Sequence, residues 1–77
     1  MQTTVDQLAI GDKAIITDFD IDAIPLKLIE MGCLTGNTVE ILQIAPFGDP
    51  LFLNMNDCHL SIRLETACKI RVETIKK

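Results

Sequence analysis

The stretch Leu51–Leu64, LFLNMNDCHLSIRL, decides the fold. Its first five residues, LFLNM, and its last six, HLSIRL, read as β-strands, and NDC, Asn56–Cys58, reads as the tight turn between them. The neighbouring segments extend this pattern of short strands. Upstream, PFGDP must bend, because Pro46, Gly48 and Pro50 crowd it. Before it, Val39, Ile41 and Ile44 mix with Glu40 and Gln43 in a strand, entered through a TGN turn in which Gly36 is free to take positive φ. Downstream, LETACK reads as a single helical turn and IRVETI as a final strand.

Nearer the N-terminus the period changes. Ile24, Leu28 and Met31 recur at helical spacing, Pro25 fits only a first turn, and Gly32 stands where a glycine ends a helix. The spacing predicts a helix over Asp22–Met31, capped by Asp20 or Asp22. KAIITDF, Lys13–Phe19, is a strand, and Thr4 is placed to cap a helical turn through Asp6 and Gln7. The sum is five strands of about five residues each and one short helix after the first strand. So many short, closely spaced strands point to a mainly β fold, a small five-stranded SH3-like barrel, which also removes exposed sheet edges.

Seventy-seven residues make a single domain, read here as spanning 1–77. Hydrophobic residues at 48% and charged ones at 23% exclude disorder. With no Trp, no Tyr and three Phe, the core must be aliphatic. A net charge of −4 with scattered Lys and Arg argues against nucleic acid, whose affinity begins with neutralised phosphates. No signal peptide and no stretch near the roughly 18 apolar residues needed for a bilayer are present, so the expected location is the cytoplasm, without membrane insertion. Cys33, Cys58 and Cys68 are odd in number and form no C-x-x-C pair, which excludes a disulfide framework.

Few motifs carry chemistry. DFDID places Asp18, Asp20 and Asp22 as an EF-hand loop begins, but the sixth position is Ala23 rather than Gly and the twelfth is Ile29 rather than Glu. A strand end followed by a helix cap explains it better. Asp57, Cys58 and His59 include good transition-metal ligands, yet adjacent strand residues point to opposite faces, so Cys58 and His59 do not share a site easily. The ordinary reading is a hairpin turn beside a half-exposed His. Cys33 lies near the predicted helix C-terminus, the wrong end to favour a thiolate, and no phosphate loop occurs. The sequence therefore predicts no enzyme, no cofactor and no metal site. What remains is apolar surface. Helical spacing of aliphatics ordinarily means burial, which suits Leu28, but Phe47 is held between Pro46 and Gly48 at a bend. Either it folds back on its own domain or a partner covers it.

The chain resembles the FeoA family, small accessory proteins of bacterial ferrous iron uptake. The segments that carry the resemblance are LAIGDKAII, LKLIEMGCLTGNTVEIL, APFGDPLFLNM and LSIRLETACKIRV, with Arg63, Glu65 and Ala67 before the last strand. Relatives often carry several Arg before the EMG element, where this chain has Pro25, Leu26 and Lys27. They often carry a proline where it has Thr35. The resemblance implies an SH3-like barrel, no enzymatic activity, and partnership with FeoB, the membrane ferrous iron transporter with a GTPase domain. It also implies two further readings, a transition-metal-binding or metal-sensing domain and a repressor-type regulatory barrel. On the first reading the docking surface combines Leu28 and Met31 of the helix with Pro46, Phe47 and Leu51 of the bend, with self-association left open.

Overall fold

In a computed structural model, residues 2–75 are described. They form one antiparallel sheet of six strands: β1 (Gln2–Thr4), β2 (Lys13–Phe19), β3 (Thr38–Ile44), β4 (Leu51–Met55), β5 (Cys58–Ile62) and β6 (Ile70–Thr74). A 3₁₀ turn covers Val5–Gln7, and two short helices, α1 (Leu26–Glu30) and α2 (Leu64–Ala67), interrupt the strands. The hydrogen-bonded order is β1-β6-β2-β3-β4-β5. Its two ends, β1 and β5, are not paired with each other, so the sheet is curled but its hydrogen bonding does not close into a ring.

Alternation places the core. In β4, Leu51, Leu53 and Met55 are buried while Phe52 is exposed, and in β3, Val39 and Ile41 are buried. Ile16, Ile62, Ile70 and Val72 join them from the remaining long strands. One face of a flat sheet this small has little to bury against. Two bulges bend it round its own core: Thr17 drops out of the β2–β6 register and Leu42 out of the β3–β4 register. Such insertions kink a strand and increase its twist. Val5, Leu28 and Ala67, from the three helical pieces, complete the same cluster.

The mainly β expectation holds, and the bounds of β2 and β4 fall where the sequence puts them. Two features differ. A sixth strand exists, because Gln2–Thr4 pairs with Arg71–Glu73 of β6. Thr4 lies in that strand, and its hydroxyl bonds the Asp6 carboxylate rather than capping backbone N–H groups. The helix expected over Asp22–Met31 is also shorter. Proline disfavours helical backbone at the residue before it, and Pro25 itself is extended (φ −57°, ψ 138°). Residues Ile21–Ala23 instead turn around Asp20. Its carbonyl accepts from Ala23 (2.9 Å) and Ile24 (3.1 Å), and its carboxylate accepts from the Asp22 N–H at 3.1 Å.

The end of α1 follows expectation in detail. Gly32 has φ +114°, the Gly32 N–H donates to Ile29 O at 3.1 Å, and the Cys33 N–H donates to Leu28 O at 3.2 Å. This is a Schellman closure, with buried Cys33 and Leu28 as its apolar contact. The β4–β5 turn is equally defined. Asn56 (φ 51°) and Asp57 (φ 66°) are both left-handed, as a type I′ two-residue hairpin loop requires, and Cys58 already belongs to β5. The two turns touch: a Cβ at Gly32 would lie 2.7 Å from Asn56 Cβ.

Candidate docking surface

The bend that raised the question is held at several points. The Gly48 N–H donates to Ala45 O at 2.7 Å, closing a β-turn with Pro46 at its second position and Gly48 at its fourth, residue types that such turns favour. Gly48 takes φ +85°, open to glycine at little cost. The Ala45 N–H donates to Pro50 O at 3.2 Å across the loop. Asp49, whose peptide bond to Pro50 is cis, reaches away from the turn and accepts the Leu64 N–H at 3.0 Å, tying the loop to the first residue of α2. On this pinned turn Phe47 is 98% exposed. Its ring does not fold back on the domain.

The other residues of the expected surface separate. Pro46 is exposed beside Phe47 and Met31 is half-buried after α1. Leu51 is 1% exposed and Leu28 is 6% exposed. Leu51 faces the core from β4, opposite Ile62, and cannot contribute contact area to a partner. That corrects its assignment to a surface: an apolar residue next to a bend can point to either face, and the pleat turns this one inward. Leu28 keeps only a rim of contact with solvent.

That rim opens on a feature that sequence reading missed. An open groove of about 480 Å³ runs between α1 and β5, with Pro25, Lys27, Leu28 and Met31 on one wall and His59–Arg63 on the other. Its walls are mainly apolar, and Arg63 adjoins Leu64, to which the Phe47 loop is tied. No local signal marks it, since it exists only because β5 ends the sheet.

The candidate ligating and nucleophilic residues do not converge. Cys58 pairs with Met55 and His59 with Asn54, so the two occupy opposite faces, as strand geometry predicts. Among the described residues no three His, Cys, Asp or Glu side chains come together to hold a metal ion. The DFDID carboxylates have local roles. Asp18 lies 3.6 Å from Arg71 in an exposed ion pair, and Asp20 organises the turn before α1.

Cys33 is fully buried, and burial pushes its thiol up from 9.0 to about 11. The thiolate is the reactive form. At pH 8 the native chain is therefore expected to expose two fast-reacting thiols, Cys58 and Cys68, to an aromatic disulfide reagent. The third should react only on unfolding. Three fast thiols in the folded chain would contradict the packing of α1. Because the raised value favours the protonated thiol, its stabilisation is complete below about pH 9 and is lost as pH rises towards about 11.

Comparison with known proteins gives the fold a lineage. The family model described as FeoA domain matches residues 3–74. The chain belongs to the FeoA domain family. A relative in Porphyromonas gingivalis, an Fe(2+) transport protein A/Fe(2+) transporter FeoB fusion protein, is 36% identical over 72 residues. That match covers 92% of this chain and only 8% of the fusion protein. The solution structure of FeoA from Chlorobium tepidum superposes with a TM-score of 0.87 at 29% identity, covering 96% of this chain and 71% of the other. FeoA from Stenotrophomonas maltophilia, a procaryotic SH3 domain protein solved with zinc, gives 0.78 at 24% identity, covering 92% and 89%. The SH3-like expectation thus stands, with six strands in place of five and with the sheet left open, so that the edges of β1 and β5 are not removed as a closed barrel would remove them. FeoA domains are associated with ferrous iron transport, and no helix among the described residues is long and apolar enough to cross a membrane.

Proposed function

We propose that this chain is a non-enzymatic accessory domain of ferrous iron uptake that docks, on the cytoplasmic side, on a FeoB-type transporter and supports or regulates it. The observation that carries the reading is Phe47: a large apolar ring, wholly in solvent, on a loop fixed by backbone bonds and by Asp49. A ring carried on a backbone already held in place adds no loop-ordering cost on binding, and buried aromatic anchors supply much of the energy of interfaces. The relative that joins FeoA and FeoB in one chain supports the choice of partner.

The test is a pull-down of tagged wild-type and Phe47→Ala chains from membranes of the source organism, with and without guanine nucleotide. Wild type is expected to recover a large membrane GTPase. Phe47→Ala is expected to recover at least about tenfold less, a loss of roughly 1.4 kcal/mol or more, with an unchanged melting temperature. Failure of the wild-type chain to recover any membrane transporter in either state sinks the proposal. Equal recovery by Phe47→Ala removes the ring from it.

A further inference from the structure

The groove between α1 and β5 has three properties that together specify an occupant. The first is a free backbone edge. β5 pairs with β4 alone. In a two-residue hairpin the residues flanking the turn, here Met55 and Cys58, bond to each other. Alternation along the ladder then leaves His59 and Ser61 turning their N–H and C=O groups to the open side. A five-residue strand with one unpaired edge is a template for another strand. The second property is apolar lining. Leu28 and Met31 stand across from Leu60 and Ile62, so a strand laid on β5 would set alternate side chains against them. The third is charge. The chain has 11 acidic residues against 7 basic ones, yet no Asp or Glu lines the groove, while Lys27 and Arg63 do.

We propose that this groove takes an extended segment of another protein, acidic and apolar residues alternating along it, which adds to β5 as a further strand. Main-chain bonds to His59 and Ser61 hold it, the apolar side chains fill the space beside Leu28 and Met31, and Lys27 and Arg63 at the groove walls attract the carboxylates. The site is separate from Phe47, and the proposal does not depend on the identity of the transporter partner.

The probe is a fluorescein-labelled Glu-Val-Glu-Val-Glu-Val-Glu peptide, titrated with the whole chain and read by anisotropy, with amide shifts followed by NMR. Two control peptides replace Glu by Lys or carry N-methyl groups on alternate amides. The acidic peptide is expected to bind at least about tenfold tighter than either control, with the largest shifts at His59 and Ser61. Lys27→Glu and Arg63→Glu, both at exposed positions, are each expected to weaken it about fivefold or more with an unchanged melting temperature. Phe47→Ala should leave it unaltered, so loss of transporter recovery and loss of peptide binding are distinguishable. No binding, or equal binding of the N-methylated peptide, overturns strand addition. Equal binding of the Lys peptide overturns the acidic class. A wild-type chain that self-associates in sedimentation and is made monomeric by Lys27→Glu would assign the groove to a second copy instead.

Discussion

Leu51→Ala is expected to lower the melting temperature by more than about 10 °C, or to prevent folding at physiological temperature. Leu51 is 1% exposed, between the Phe47 loop and the middle of β4, and packs in a single aliphatic core. Leu-to-Ala changes at such sites cost about 2–5 kcal/mol. A domain this size has a total stability of only about 4–12 kcal/mol, and each kcal/mol moves its midpoint by about 4–8 °C. Phe47→Ala is the internal comparison: four positions away, a larger side chain is removed and the midpoint should stay within about 2 °C, because an exposed ring contributes little burial. Thermal melts of the two variants decide the matter. Similar losses in both would mean that Phe47 packs against the domain in solution.

Gly32→Ala is expected to cost roughly 2–4 kcal/mol, well beyond an ordinary surface glycine. Two effects add. At φ +114° an alanine is strained whatever surrounds it. Its Cβ would also stand 2.7 Å from Asn56 Cβ, in the hairpin turn. The effects separate in a double-mutant cycle. Asn56 already has φ 51°, so Asn56→Gly suits its backbone and removes the colliding atom. Gly32→Ala combined with Asn56→Gly should therefore be less destabilised than the sum of the single changes, by about 1 kcal/mol or more. Strict additivity in urea melts would show that the end of α1 does not rest on the β4–β5 turn.

Lys13–Phe19 and Leu51–Met55 were legible as strands because apolar residues recur in them against clear turn residues. Gln2–Thr4 was not, since it offers no apolar residue and is a strand only because β6 lies alongside. The helix was overextended because Ile24 sits at helical spacing from Leu28, whereas the ring of Pro25 breaks the backbone between them. Burial without helix is what spacing alone cannot distinguish. The same limit divided the expected docking residues. Phe47 could be singled out from its Pro and Gly neighbours, but whether Leu51 faces in or out depends on the phase of the pleat. The groove was not legible at all: which of several similar strands ends the sheet is decided by long-range pairing, not by any local run of residues.

The pairing of β1 with β6 has a consequence for how such a domain can be joined to something larger. Gln2 lies opposite Glu73, so the two ends of the described chain run side by side at one margin of the sheet, while β5 forms the other margin. A tether attached at either end leaves from that same margin. A short flexible tether raises the local concentration of whatever it carries to about the millimolar range. Contacts too weak to survive dilution can then stay occupied, and the grip of the two faces need only be strong enough to set orientation.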